Sequence, residues 1–406
     1  MQKIGKTKEK RAIIIHRFAK PKILATFLAA GADLRQPAVM DAARRDFHRT
    51  YYGWWRGLEK LGWHALLLDR PSYLIPLWLC LFRPSLFVRL LQWQAYRRSP
   101  QASAARVLDR LIFQIHLLAI LWSDRPKFVI FPYDALSRPL RAFCRRAGIR
   151  TIGFFGVLPS LKSTRVRARV AEYDAVLSGY NLPALWPEIE GRFYRLILGP
   201  SQESDFFAVE PSPRNIDVCV IGRFDTKLFR TRSTIVELLL QAAEPVGIGV
   251  YVHGYTAGDG LGEEYSFLKR ALRGGLYGPE YYRTLARSKI VLTIPSDEHL
   301  RIGSARPQGI MEGAASGAVQ IAYDTPEARD LFIAGTEIVL FRNNAELLSL
   351  VQHYLAHPDE CEAIARRARQ KVLRAYTSEK QIAGLVEWMG FEEPAKRRDG
   401  SEDIRQ

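Results

Sequence analysis

The stretch IVLTIPSDEHLRIGSARPQGIMEGAASGAVQIAYDTPEARDLFIAGTEIVLF, residues 290–341, decides the fold. Its first apolar run, 290–294, predicts a buried strand that leads into a polar loop. Residues 307–315 predict a helix that carries Glu312, and residues 319–323 predict a second strand. The order strand, loop, helix, strand is the repeating unit of an α/β fold.

The same alternation extends over the rest of the chain. Short apolar runs predict strands, and segments with helical spacing lie between several of them. Strands alternating with helices give a mostly parallel sheet, so the fold class is α/β. The other predicted strands are residues 12–15, 63–68, 128–131, 149–155, 175–177, 217–221 and 247–252.

The length and one polar segment predict two domains. The chain has 406 residues, more than a single core usually serves. Residues 199–215, GPSQESDFFAVEPSPRN, concentrate Gly, Pro, Ser and acidic residues between apolar runs. We therefore expect an amino-terminal domain over residues 1–205, a carboxyl-terminal domain over 206–390 and a charged tail over 391–406.

A helix predicted over residues 104–122 is strongly apolar. Its apolar residues recur at helical spacing, the pattern of a helix whose stripe faces a core. The residues of this predicted stripe are Val107, Leu111, Ile115, Leu118 and Trp122.

Charge predicts a polyanionic partner. The chain carries 59 Lys and Arg against 42 Asp and Glu, a net charge of +17. Nucleic acid, an anionic membrane surface and a phosphorylated substrate all fit this charge, and a merely solubilising surface is the alternative. No zinc-finger, helix-turn-helix or aromatic-basic ribonucleoprotein motif supports nucleic acid.

Cysteine usage and the amino terminus favour the cytoplasm. The four cysteines are far apart and match neither a zinc site nor a secreted disulfide framework. The first apolar run, 12–15, is too short for the core of a signal peptide.

Residues 73–98 form an apolar and basic insertion. The apolar run 73–82 is about half the roughly 20 residues that a membrane-spanning helix needs. Its Trp and Arg residues fit an interfacial element at a membrane, and an internal helical hairpin that covers the sheet is the alternative.

Several polar residues follow predicted strands, where open α/β sheets bind ligands. His16 follows the first strand and is an acceptor-side candidate for catalysis, although a His here is often structural. In the second half the strand ends carry Gly222 and Arg223, then His253 and Gly254, then the loop 295–297. All three ends should meet along one sheet edge.

The carboxyl-terminal half resembles a known family. Residues 309–341 and 343–377 resemble the carboxyl-terminal domain of GT-B glycosyltransferases of the group-1 type, related to spore-maturation-protein glycosyltransferases. The matching residues are Glu312, Gly317-Ala318, Phe332, Gly335, Glu337, Glu346-Leu347, Tyr354-Leu355, Pro358 and Ile364-Ala365. The resemblance implies two Rossmann-like domains facing a cleft, with a nucleotide sugar held mainly by the second.

The resemblance also implies roles for single residues. Glu312 would accept hydrogen bonds from the donor ribose, and Arg223 and Lys227 would contact the diphosphate. Arg301 and Arg306 are alternative phosphate contacts, and each also fits a solvated charge.

One position departs from the family pattern. Retaining group-1 enzymes carry a second Glu eight positions before the first, where this chain has Ser304. Ser304 thus occupies a donor-side position with altered chemistry, which leaves a non-catalytic nucleotide-sugar-binding homologue open.

The leading function is sugar transfer to a saccharide or lipid-linked acceptor in the synthesis of cell-surface polysaccharide or glycoconjugate, in the cytoplasm or at the inner membrane face. No Asp-x-Asp motif occurs in the chain, so we expect no metal and no cofactor besides the donor substrate. A nucleotide-sugar epimerase of the same fold, using His16 or His253, and a non-enzymatic nucleic-acid binder are the alternatives.

Overall fold

The computed structural model describes residues 10–17, 49–70, 100–132, 136–155, 164–202, 213–256, 260–276, 279–301 and 308–392. The insertion at 73–98, Ser304, Arg306 and the tail at 393–406 lie outside these residues. No helix in the described ranges is long and apolar enough to cross a membrane.

The first half forms a six-stranded parallel sheet in the order β2-β1-β3-β4-β5-β6. The strands are β1 (Arg11–Arg17), β2 (His64–Arg70), β3 (Phe128–Pro132), β4 (Arg150–Phe155), β5 (Ala175–Ser178) and β6 (Phe193–Arg195). Buried β-branched and aromatic side chains fill both faces of the sheet, for example Val129 on one face and Phe128 on the other, as a parallel sheet covered on both sides requires.

Among the described residues, four helices of the first half lie against this sheet: α1 (Arg49–Lys60), α2 (Pro100–Asp124), α3 (Arg138–Ala147) and α4 (Thr164–Val170). Residues of α2, α3 and α4 pack in one core with Ile13 and Val129, and α1 packs in the core of the opposite face with Ile14. Residues next to its two ends set the bounds of α3. Ser137 accepts a hydrogen bond from the Leu140 amide at its start, and the helix ends at the left-handed Gly148.

The second half forms a five-stranded parallel sheet in the order β11-β10-β9-β7-β8. The strands are β7 (Ile216–Phe224), β8 (Val250–Thr256), β9 (Ser288–Thr293), β10 (Val319–Tyr323) and β11 (Val339–Phe341). The helices are α5 (Arg230–Ala243), α6 (Ser266–Ala271), α7 (Pro279–Ala286), α8 (Asp297–Arg301), α9 (Gln308–Ala315), α10 (Pro326–Leu331), α11 (Asn344–Ala356), α12 (Pro358–Lys371) and α13 (Ser378–Trp388).

Both sheets reverse their strand order at one point. The chain runs from β1 to β2 in one direction and then continues on the other side of β1 with β3. It repeats this pattern with β7, β8 and β9. The two halves are therefore Rossmann-like, as predicted, and each has a switch point where ligands of such sheets bind.

The last helix returns to the first half of the chain. On α1, Gly53 and Gly57 face α13 so closely that a Cβ at Gly57 would lie 2.5 Å from Ile382 Cγ2. Two glycines four apart on one helix face thus allow the helices to touch along their backbones. The buried Glu379 fixes the start of α13, since it accepts hydrogen bonds from Ser201 Oγ at 2.5 Å and from the Gln202 amide at 2.9 Å.

Three residues of the apolar stripe predicted on α2 face away from the core, whereas Leu118 of the same stripe packs against it. Phe113, Leu117 and Leu121 are buried in the core. Leu111 and Ile115 of the predicted stripe are instead exposed by 55% and 59%. The helix is apolar on most of its surface, so periodicity alone could not tell which side faces the sheet.

The three described cysteines, Cys144, Cys219 and Cys361, are buried and reduced. The structure thus uses them as small core residues.

Candidate active site

Arg223 is the second-last residue of β7 at the switch point of the second sheet, and a turn follows the strand. The buried Asp225 accepts hydrogen bonds on Oδ1 from the amides of Lys227, Leu228 and Phe229 at 3.0, 2.6 and 3.1 Å. Its Oδ2 lies 3.2 Å from Nε of Arg223, whose side chain is 35% exposed. Burial raises the pKa of Asp225, but the three amides and Arg223 outweigh it, so this pKa is lowered. Asp225 therefore holds both the turn and the guanidinium in place.

A second arginine ties the two central strands together. Arg232, in the first turns of α5, donates from Nε to the Ile294 carbonyl at 2.9 Å and from Nη1 to the Arg223 carbonyl at 3.1 Å. Burial lowers the pKa of Arg232 to about 10, so the side chain stays charged at neutral pH. Its charge lies beneath the switch point, where β7 and β9 end.

His253 and Gly254 lie on β8, which continues to Thr256 and therefore does not end before them as predicted. Gly254 pairs with Gly222 of β7, and a Cβ on Gly254 would lie 1.8 Å from the Gly222 carbonyl oxygen. Only glycine fits this approach. Burial lowers the pKa of His253, which favours its neutral form at neutral pH.

Glu312 is buried on α9, with 6% of the residue exposed. One of its partners is Tyr281 of α7, whose hydroxyl donates to Oε2 at 2.6 Å. A tyrosine bond of this kind fixes the rotamer of the carboxyl group.

The segment after β9 contains α8, which contacts the start of α5. Asp297 accepts a hydrogen bond from the Thr231 amide at 3.1 Å, and it also accepts one from the Thr231 hydroxyl. Arg301 pairs with Glu298 on the helix surface, at 2.5 Å from Nη2 to Oε1. The first turns of α5 and α8 are thus joined at the edge of the sheet.

Two contacts show that the carboxyl edges of the sheets face each other. His299 Nε2 lies 3.1 Å from the hydroxyl of Tyr180, which follows β5 of the first sheet. Arg195 at the end of β6 lies 3.7 Å from the buried Glu327 on α10. The space between the edges is therefore a cleft bounded by both halves.

The structure brings most of the candidate residues to this cleft side. Arg223, Lys227, His253 and Gly254 lie along β7, β8 and the turn that follows β7. Glu312 and Arg301 come from the elements that follow β9. His16 lies at the carboxyl end of β1, the strand beside the first switch point, and its side chain is outside the described residues.

Reasoning from the sequence missed Asp225, Arg232, Tyr281 and the cleft contact of His299, and it named Asp297 only as part of the loop 295–297. Asp225 has a local signal, because an Asp followed by several residues of turn can accept their amides. The other contacts join residues at least 31 positions apart and have no local signal.

Comparison with known families supports the resemblance. Residues 230–387 match the family model described as glycosyl transferase-like. No curated protein sequence matches the chain.

Solved structures of the same architecture cover nearly the whole chain. Sucrose-phosphate synthase from Thermosynechococcus elongatus is 14% identical at a TM-score of 0.53, over 94% of this chain and 100% of that one. Anabaena HepE in complex with UDP and glucose is 12% identical at a TM-score of 0.52, over 94% and 100%. TarM is 11% identical at a TM-score of 0.46, and the match covers 64% of this chain and 54% of TarM, about half its length.

At these identities the structures establish the fold, and the family model covers residues 230–387, which include Arg232 and Glu312. The chain therefore has the GT-B fold, and residues 230–387 in its second half match the glycosyl transferase-like family model.

Proposed function

We propose that this chain transfers a sugar from a nucleotide sugar to a saccharide acceptor. The observation that carries the proposal is the position of Arg223 and Glu312. Both come from elements at the carboxyl edge of the second sheet, within the fold that related glycosyltransferases use. HepE, a protein of the same fold, is described in complex with UDP and glucose, which supports a nucleotide-sugar donor.

The donor diphosphate would bind at the turn after β7. As the sugar departs, negative charge grows on the phosphate oxygen that it leaves and positive charge grows at the anomeric carbon. The Arg223 guanidinium at the end of β7, and Lys227 on the turn that follows, would stabilise the growing negative charge electrostatically. Arg301, Ser304 and Arg306, in the segment after β9, would supplement this contact.

Glu312 would bind the donor ribose. A carboxylate can accept a hydrogen bond from each hydroxyl of a diol, and burial makes such charged bonds stronger than bonds in water. The Tyr281 hydroxyl would hold the carboxylate in the orientation that the diol requires. Gly254 and His253 would line the donor side on the neighbouring strand.

The acceptor would bind across the cleft, on the first sheet. We propose that His16 at the end of β1 takes the proton of the acceptor hydroxyl as the new bond to the sugar forms. A general base must lie within hydrogen-bond reach of that hydroxyl and be neutral before the step. The Ser304 position lacks the carboxylate of the retaining group-1 pattern, so this step would rely on His16 and on the phosphate contacts.

The acceptor class and the location form the finer part of the proposal. We propose a saccharide acceptor, either soluble or lipid-linked, in polysaccharide or glycoconjugate synthesis, and a chain that works in the cytoplasm against the inner membrane face. The net charge of +17 supports an anionic surface as one partner.

A thermal-shift screen of nucleotide sugars tests the donor site. At least one donor should raise the melting temperature of the wild type, and Glu312→Ala should lose most of that shift. Asp330→Ala is the matched control, because Asp330 is an exposed carboxylate on α10 of the same domain. Equal shifts in the wild type and in Glu312→Ala would show that Glu312 does not bind the donor.

The reaction is tested with the donor that the screen identifies. Turnover should require an acceptor, since an epimerase would convert the donor alone, and a binding-only homologue would give no turnover with any acceptor. Transfer should continue in excess chelator, because we assign the phosphate charge to arginine and lysine side chains. Complete loss of transfer in chelator would refute the metal-independent reaction.

A further inference from the structure

The exposed side of α2 is an apolar surface without a described partner helix. Leu111, Ile115 and Trp122 lie at spacings of four and seven residues, so they share one face of the helix. They are exposed by 55%, 59% and 66%, and Trp122 is the most exposed large apolar side chain among the described residues. Between Leu111 and Trp122 the helix rises about 16 Å, so these side chains form a stripe.

The charge beside this stripe is positive. Helix α3 packs next to α2, where the Trp122 and Phe143 rings lie 6.1 Å apart. Its arginines include Arg145 and Arg146, which are exposed in its last turn, and the helix contains no acidic residue. Arg125 lies over the Trp122 ring at 5.5 Å. Residues 100–150 together contain nine Lys and Arg residues against three Asp.

We propose that this face of α2 and α3 docks on an anionic membrane surface. An exposed apolar stripe that includes a tryptophan inserts at the boundary of headgroups and acyl chains, and arginines beside it neutralise anionic headgroups. A neutral protein partner would leave these arginines unpaired, and a nucleic acid would leave the stripe in water. An anionic lipid surface satisfies both halves of the face.

The docking face differs from the insertion at 73–98 that the sequence suggests as a membrane contact. It consists of two helices packed on the first sheet, so it is rigidly connected to the half of the cleft assigned to the acceptor. Docking there would hold the first domain at the surface where a lipid-linked acceptor lies. The inference rests on the membrane part of the proposed function, and binding is measured without donor or acceptor, so its failure would leave sugar transfer untouched.

The test is co-sedimentation of the full chain with vesicles. Neutral phosphatidylcholine vesicles are compared with vesicles that contain about 30% phosphatidylglycerol. Binding should require the anionic lipid and should weaken as salt is raised, because surface charges are screened over about 10 Å at 0.1 M salt. Ile115→Asn and Trp122→Asn should each lower the partition coefficient on anionic vesicles at least about tenfold.

Matched controls come from the second domain. Ile333→Asn removes an isoleucine that is also exposed by 59%, and it should leave partition unchanged. Arg145→Gln should lower binding to anionic vesicles about fivefold, in line with the energy of one basic residue near a charged surface. Arg270→Gln, at an exposed arginine of α6, should not lower it.

Three outcomes would overturn the proposal. The first is equal binding to neutral and anionic vesicles, and the second is anionic binding that Ile115→Asn and Trp122→Asn leave unchanged. The third is a stripe already covered in solution, either by a second copy or by residues 71–99. A second copy on the stripe would make the wild type sediment as a dimer. Cover by residues 71–99 would make the acrylamide quenching of tryptophan fluorescence equal in the wild type and in Trp122→Phe.

Discussion

Replacing Asp225 should separate the stability of the switch-point turn from the position of Arg223. Asp225→Ala removes the acceptor of three backbone amides together with the partner of the guanidinium. Asp225→Asn retains an oxygen for the amides and replaces the oxygen near Arg223 with an NH₂ group, which cannot accept. The two variants therefore differ mainly in the amide bonds.

The magnitude follows from these contacts. A hydrogen bond to a charged group contributes about 1.5–3 kcal/mol. Lys227 and Leu228 are exposed, so water can replace part of what their amides lose. Three bonds at a reduced value give about 3 kcal/mol for Asp225→Ala, and the loss of the Arg223 contact alone gives about 1 kcal/mol for Asp225→Asn.

Differential scanning calorimetry measures both effects. For a domain of about 180 residues, about 3 kcal/mol corresponds to a melting temperature lowered by roughly 6–12 °C. Asp225→Asn should melt about 2–4 °C below the wild type and should still bind the donor at least tenfold more weakly, because Arg223 is no longer held. The control Asp330→Asn should change neither the melting temperature nor the affinity for the donor.

The contribution of the Asp225 carboxylate to the free energy of unfolding should depend on pH. The folded pKa of Asp225 is lowered, so its contribution is present above the unfolded pKa of about 3.9 and is lost as the pH falls through the folded pKa. The gap in stability between wild type and Asp225→Asn should therefore narrow below about pH 4. The reasoning is refuted if Asp225→Ala melts within about 1 °C of the wild type, or if both variants lose the same stability.

Three further predictions concern the rest of the chain. Gly57→Ala should cost about 1–3 kcal/mol in urea unfolding although alanine is the better helix former, because its Cβ would lie 2.5 Å from Ile382 Cγ2. Gly191→Ala, where nothing lies within 4 Å, should stay within about 0.5 kcal/mol, and a stabilised Gly57→Ala would contradict the close packing of α1 on α13. Glu379→Ala should lose about 3 kcal/mol in thermal unfolding and Glu379→Gln about half of that, and equal losses would mean that charge rather than hydrogen bonding holds α13. Burial raises the pKa of the three described thiols, Cys144, Cys219 and Cys361, to about 11 or 12. In a Cys80→Ser variant no thiol should therefore react with an aromatic disulfide reagent at pH 8 until urea is added. Reaction of the folded variant without urea would show that at least one of the three thiols is accessible.

The sequence predicted the elements well where their ends depend on neighbouring residues. The bounds of α3 follow from Ser137 and Gly148, which cap it locally. The alternation of strands and helices likewise follows from local pattern. The buried face of α2 could not be predicted in this way. Leu111 and Phe113 are both apolar, and only packing against the sheet decides which of them is buried.

The candidate site shows the same division. Arg223 and Glu312 could be named because their places after a strand and within a motif are properties of the chain. Arg232 and Tyr281 could not, because their function depends on Ile294 and Glu312, which lie 62 and 31 positions away. Contacts of this kind depend on the order of the strands in the sheet, which cannot be derived from the local sequence pattern.

The contacts at the switch point also limit how a diphosphate can bind. In many α/β proteins the phosphate lies on the backbone amides that follow the first strand. Here carboxylates already accept from four such amides, three bound by Asp225 and one by Asp297. A diphosphate would therefore gain most of its attraction from side chains, and Arg223 is the guanidinium that the turn itself positions. Because Asp225 and Asp297 balance the charges of Arg223 and Arg232 locally, the initial attraction of the donor must come from the wider positive surface of the chain. Raising the salt concentration should therefore lower the rate constant of donor association and should change the rate constant of donor release less.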